Sequence, residues 1–245
     1  MTVLIVGASG ATGRLLVEQL VSQGQRVRVV VRSLDNLPFF FRNNDNVSIV
    51  QASILNLDNA EMVQCIRGCE AIASCLGHTM SLKGIFGPPH RLVAEATRRL
   101  CEAVERSQPL SPVKFVLMNT AGNRNRDLDE PVSVAQKGVV GLIRLLIPPH
   151  ADNEEAADYL RRSVGQSSQF VEWVAVRPDG LTDEESVSDY EVHPSPTRSA
   201  IFDAGATSRI NVGHFMASLI LDDDLWRQWK GKMPVIYNRA SLVSA

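Results

Sequence analysis

A turn of three glycines between a strand and a helix constrains this chain most. It reads Val3-Leu4-Ile5-Val6-Gly7-Ala8-Ser9-Gly10-Ala11-Thr12-Gly13-Arg14. The apolar, β-branched run 3–6 predicts a short buried strand. Residues 12–22 have helical spacing, with Leu15, Leu16, Leu20 and Val21 on one side. The first glycine turns the chain tightly off the strand. The second has no Cβ, so backbone N–H groups can approach a pyrophosphate, and the third lets the helix pack closely on the sheet. The helix N-terminus then faces the phosphates with about half a positive charge. The turn predicts a dinucleotide held by Gly7, Ser9, Gly10, Ala11, Thr12 and Gly13.

Strand and helix patterns alternate through the first half. Strands are predicted at 27–31, 47–50, 71–76 and 113–118, and helices at 59–66 and 91–106. This alternation predicts an α/β fold of Rossmann type, a doubly wound parallel sheet with helices on both faces. The second half is less regular. A polar loop covers 123–131, and a helix is expected over 134–147, weakened by Gly138 and Gly141 and stopped by Pro148-Pro149. Asp152 or Asn153 would cap a further helix to about Ser163. A sixth strand is expected at 170–176, and a last one at 235–237. Asn211 would cap a helix carrying Val212, Phe215, Met216, Leu219 and Ile220 on one face. Residues 182–208 are rich in Pro, Ser and charge without periodicity. One domain over 1–245 is expected, its end from about 179 forming a small substrate lobe over the crevice.

Composition narrows the function classes. The chain has 245 residues, with 25 Lys plus Arg against 27 Asp plus Glu, a net charge of −2. That balance argues against a nucleic-acid-binding surface. Cys65, Cys69, Cys75 and Cys101 form no C-x-x-C and have no further ligands close in sequence, so buried reduced thiols are expected rather than a metal site. No apolar leader precedes Val3, and no apolar run approaches about 18 residues. A cytoplasmic protein with no membrane span is the expectation. Phe39-Phe40-Phe41 packs in the core, covers the adenine side or forms a partner surface, with burial favoured.

In open parallel sheets the ligand lies beyond the carboxyl ends of the strands. That rule selects Leu76, Gly77 and His78 after the fourth strand, Asn119 and Thr120 after the fifth, and Arg177 after the sixth. Ser53, after the third, is a weaker candidate near the adenine. The second strand ends in Arg32-Ser33, with no acid at the place where NAD enzymes bind the ribose 2′-hydroxyl. An arginine there suits the 2′-phosphate of NADP. Arg14 could lie beside the same phosphate. NADP is therefore favoured over NAD.

Gly7–Gly13 also resembles the turn of the short-chain dehydrogenase/reductase superfamily, and more closely its atypical, NmrA-like NAD(P)-binding branch. The resemblance continues at Trp173-Val174-Ala175-Val176-Arg177-Pro178-Asp179-Gly180-Leu181 and at Ser208-Arg209-Ile210-Asn211-Val212-Gly213-His214-Phe215. It implies that the strand-end residues surround the nucleoside and nicotinamide.

The chain departs from that pattern where catalysis is expected. Typical members carry Tyr-x-x-x-Lys on the helix after the fifth strand, the tyrosine acting as acid/base. Here Tyr159, Tyr190 and Tyr237 are followed at the fourth position by Ser163, Pro194 and Ser241. The family's two positions fall near Pro149 and Asn153. His150 lies in that window and is either a substitute proton donor or an exposed loop histidine. Asn153 could bond a ribose hydroxyl, and Thr120 is the one hydroxyl matching the family's Ser/Thr. His78 is placed near the cofactor or substrate, while His90, His193 and His214 read as surface or helix histidines. Residues 84–89 form a lid or an ordinary connection. Two functions fit: an oxidoreductase reducing a small organic substrate with NADPH, and a non-catalytic NADP sensor acting through a regulatory protein partner. A sugar-nucleotide epimerase or dehydratase is weaker, because such enzymes keep the same tyrosine and lysine.

Overall fold

A computed structural model describes residues 1–35, 37–78, 81, 87–128, 130, 148–200 and 202–239. The strands are β1 (Thr2–Val6), β2 (Arg26–Val31), β3 (Val47–Gln51), β4 (Ala71–Ser74), β5 (Val113–Met118), β6 (Val171–Pro178), β7 (Gly180–Thr182), β8 (Tyr190–His193), β9 (Ala206–Ser208) and β10 (Val235–Asn238). Eight of them form one sheet in the order β3-β2-β1-β4-β5-β6-β10-β8, and β7 pairs with β9 in a separate ribbon. Within the large sheet every pairing is parallel except β8 with β10. The Rossmann-type arrangement read from the alternation is therefore present.

The helices are α1 (Ala11–Ser22), α2 (Phe39–Arg42), α3 (Asn59–Ile66), α4 (Leu92–Ser107), α5 (Pro148–Tyr159), α6 (Arg209–Leu221) and α7 (Asp223–Trp229), with one π turn (Leu160–Val164) continuing α5. Side chains alternate across a strand, so each buried strand feeds two apolar layers. Leu4, Val6 and Ile72 pack with α3, α4 and α5. Val3, Ile5 and Ala73 pack with α1, α6 and α7. Both faces of the sheet are thus covered, which explains why the strands read as continuous apolar runs.

Strand order reverses at β1, which pairs with β2 on one side and β4 on the other. Val6 lies level with Val30 and with Ser74, and Ser74 with Leu117. The chain therefore leaves β1, β4 and β5 at a common level, at the carboxyl end where such sheets open a crevice.

Several details differ from the sequence reading. Ser208, not Asn211, caps α6, its hydroxyl accepting from the Asn211 N–H. Asn211 instead lies inside the helix, wholly buried, and donates to Ser188 and Asn238. The residues from 179 onward add β8 and β10 to the main sheet and lay α6 against α1; among the described residues only the β7–β9 ribbon stands apart from it. Of the three consecutive phenylalanines, Phe41 is buried but Phe39 is 80% exposed, so burial accounts for one ring and not the run. The expected helix over 134–147 and residues 84–86 of the segment 84–89 lie outside the described residues. The four cysteines are free thiols, Cys65, Cys69 and Cys101 buried. Among the described residues no helix is long and apolar enough to cross a membrane.

Candidate functional site

The glycine turn is built as its spacing requires. Gly7 leaves β1 with φ of +79°, a conformation that costs an L side chain strain. A Cβ on Gly7 would also stand 2.4 Å from the Cys75 carbonyl carbon, and one on Gly13 would stand 2.2 Å from the Gly7 oxygen. These two glycines let β1, the chain after β4, and α1 close on one another. Gly10 is different. Its backbone conformation is ordinary, and a Cβ there would meet only the Gly7 oxygen, at 3.2 Å. Gly10 is the N-cap of α1, has no side-chain cap, and no acid stands in the first helical turn. Ser9, Gly10, Ala11 and Arg14 are exposed, while Thr12 is buried. The start of α1 thus presents backbone N–H groups and the positive helix end to whatever sits on the turn. Burial pushes the Cys75 thiol up to about 12, so the floor of the turn carries no thiolate to oppose an anion.

On one side of the turn, Arg32 is exposed at the end of β2. It lines a small cavity of about 70 Å³ together with Val6, Ser53 and Leu76. Residues chosen separately, by strand-end position, therefore meet in one place. Ser33 beside it donates its hydroxyl to Asp35 at 2.8 Å.

On the other side, the chain beyond β5 is tied to α5 by asparagines. Asn119 is buried and donates to the Asn153 carbonyl at 2.9 Å, while its own carbonyl oxygen accepts from the Thr120 N–H and from Asn123. The Asn153 side chain turns back to the Pro149 carbonyl. Asn119 and Asn153 thus form a scaffold between two elements. Thr120 and His150 meet beside Gly122: a Cβ there would lie 3.7 Å from Thr120 Oγ1 and 3.6 Å from His150 Cε1. His150 Nε2 stands 3.6 Å from Glu154 Oε1.

His78 follows exposed Gly77 beyond β4. Its Nε2 lies 2.8 Å from Asp152 Oδ2, and the two side chains are 5% and 0% exposed. Asp152 also accepts from the Val93 and Ala94 N–H groups, so it caps α4 rather than its own helix. Asp152 has no local signal as a partner of His78, because the contact spans 74 positions.

Arg177 departs from the expectation that it lines the crevice. It is wholly buried and donates to the Met233, Asn123 and Pro194 carbonyls and twice to Glu130. A guanidinium has five N–H donors, and all five are used inside. Glu130 sits in a polar loop whose sequence gives no sign of burial.

The model of a family described as NAD(P)H-binding matches residues 7–223. No curated protein matches the chain significantly. Solved structures share its fold. The oxidoreductase ylbE from Lactococcus lactis is 17% identical, with a TM-score of 0.70 over 98% of this chain and 91% of that one. A short-chain dehydrogenase/reductase from Veillonella parvula in complex with NADP is 17% identical, TM-score 0.70, over 98% and 95%. ChuY, an anaerobillin reductase from Escherichia coli O157:H7, is 17% identical, TM-score 0.68, over the whole of both chains. At these identities the likeness is one of fold.

Proposed function

The chain belongs to the NAD(P)H-binding family, and from that premise we propose that it is an NADP(H)-dependent reductase of the atypical, NmrA-like short-chain type, acting on a small organic substrate. The observation that carries the reading is the turn itself. Gly7 and Gly13 admit no Cβ, Gly10 leaves the uncapped start of α1 open, and no acid stands in its first turn. These residues fit a diphosphate. Arg32 supports NADP: its fork can take a 2′-phosphate bidentately, and one charge-assisted hydrogen bond contributes roughly 1.5–3 kcal/mol. That is about one to two powers of ten in affinity.

When bound, the reduced nicotinamide supplies a hydride. The chain's own residues bind and orient. Gly7 to Gly13 hold the diphosphate, Arg32 and Ser53 take the adenosine end, and Leu76 and Gly77 leave room for close approach. Thr120 and His150 face the acceptor across Gly122. The free thiols suit a reducing, cytoplasmic setting. The testing experiment is a screen of NADPH oxidation against quinones, aldehydes, ketones and flavins.

One feature favours a second reading, a sensor that binds NADP(H) and a regulatory protein partner without catalysis. No tyrosine in the chain is followed by lysine at the fourth position. Tight NADPH binding with silence across the whole screen selects the sensor.

A further inference from the structure

We infer that Arg99 is a positioning residue of the nucleotide site: without touching the nucleotide, it holds the connection after β3 as a preformed wall for the adenosine end. The inference rests on the cofactor reading above and adds a residue role to it. Two sets of contacts carry it. Arg99 lies on α4 and is half-buried. Its Nη1 donates to the Ile54 carbonyl at 3.3 Å and to the Leu55 carbonyl at 2.5 Å, and its Nη2 donates to the Leu57 carbonyl. The same connection supplies Ser53, Ile54 and Leu55 to the small cavity that Arg32 and Leu76 also line. Leu92 lines it too. Arg99 follows Leu92 by seven positions, which is two turns along the same face of a helix. One helix therefore supplies a piece of the cavity and the clamp on the segment that walls it.

Residues 52–58 run from β3 to α3 through a bend and a turn, with no helix or strand of their own. The Ala52 N–H bonds the Val31 carbonyl and the Asn56 N–H bonds the Ser53 carbonyl, each at 2.9 Å. The first ties the start of the segment to β2, and the second closes the turn on itself. Arg99 ties the middle and the far end to α4. Ordering such a segment costs conformational entropy, and a wall already ordered spares the nucleotide that cost on binding. A guanidinium suits the task, because its planar fork points several N–H donors in fixed directions and so reaches three carbonyls at once. A lysine in its place keeps the charge and loses the fork.

Calorimetry on the full chain tests this with two ligands, NADPH and adenosine 2′,5′-bisphosphate, which carries the adenosine end and no nicotinamide. Apparent affinity falls in proportion to the fraction of molecules whose site is ready to bind, so Arg99→Lys should raise both dissociation constants by the same factor, about fivefold or more. Because lysine is also a cation, that loss reports the fork and not long-range attraction. Arg28→Lys is the control. Arg28 Nη1 likewise donates to two carbonyls, of Cys65 and Arg67, at 2.6 and 3.0 Å, but Arg28 does not line the cavity. Its variant should leave both constants at their wild-type values. Unchanged constants in Arg99→Lys, an equal loss in Arg28→Lys, or a loss for NADPH alone overturns the inference and leaves the cofactor reading standing. So does a wild-type protein that binds NADPH and not the bisphosphate. If Arg99→Lys does not fold, nitrogen NMR of the wild type with labelled arginine decides. The Arg99 side-chain N–H groups should already exchange slowly with water in the free protein, and slow exchange that appears only with the bisphosphate bound overturns the preformed wall. If the wild type binds neither ligand, the cofactor reading falls and takes this inference with it.

Discussion

Arg177 and Glu130 face each other in the interior, with nitrogen–oxygen distances of 2.8 and 3.3 Å. The pair does more than neutralise two charges. Arg177 also bonds the carbonyls of Asn123, Met233 and Pro194, so it ties β6 to the chain after β5, the approach to β10 and the end of β8. The wall of the crevice beyond β5 hangs on this knot. Removing one partner leaves a buried charge uncompensated, which costs about 3–5 kcal/mol. Glu130→Ala should lower the unfolding free energy read from urea denaturation by that much, and Glu130→Gln, which keeps an acceptor, by less. A Glu130→Ala midpoint equal to that of the wild type would contradict the assignment.

Gly10→Ala separates binding from folding. Its backbone conformation accepts alanine, and its one close neighbour, the Gly7 oxygen, is 3.2 Å from the added Cβ. The melting temperature should fall far less than in Gly7→Ala or Gly13→Ala. The methyl group stands where a diphosphate must approach the backbone, so the NADPH dissociation constant should rise by about tenfold or more, close to 1.4 kcal/mol. Gly7→Ala and Gly13→Ala should instead unfold the turn, because their Cβ atoms fall 2.4 and 2.2 Å from backbone atoms.

Nucleotide choice turns on Arg32. Arg32→Glu replaces an attraction for the 2′-phosphate with a repulsion. It should weaken NADP by about 10- to 100-fold while leaving NAD nearly unchanged. Parallel titrations of both nucleotides decide it, and equal losses would remove Arg32 from the 2′-phosphate site.

His214 gives the fold a dependence on pH. Its Nδ1 lies 2.8 Å from the Tyr190 hydroxyl, and burial holds its pKa below the ordinary 6.5. The unfolded chain then binds the proton more readily than the folded one. This contribution is complete above the unfolded value and is lost as pH falls through about 6.5 toward the folded value. In the protonated ring Nδ1 can only donate to the Tyr190 hydroxyl. Denaturant midpoints should drop between roughly pH 7 and pH 5, and His214→Gln should flatten that drop. An unchanged slope in the variant would assign the acid sensitivity elsewhere.

Much of this architecture is legible in the sequence because its causes are local. The helix Asn59–Ile66 and the strand Val113–Met118 match their sequence ranges end to end. In the first, Asp58 and Glu61 form a reciprocal cap, and in the second the run is apolar at every position but Lys114. The glycine turn is equally local. What was not legible depends on distant partners. Asp152 reads as a cap for its own helix, yet it caps α4 and holds His78. Arg177 reads as a crevice residue, and Glu130, 47 positions away, draws it inside. The strands β8 and β9, of four and three residues, are too short to print a period on residues 182–208.

The central claim is that the turn from Gly7 to Gly13 holds the diphosphate of a pyridine nucleotide against the start of α1. Calorimetric titration of NADPH into the purified protein tests it most directly. The account predicts saturable binding at one site per chain, weakened in Gly10→Ala. No heat from either NADPH or NADH, with crystals soaked in both showing no density at the turn, would contradict it.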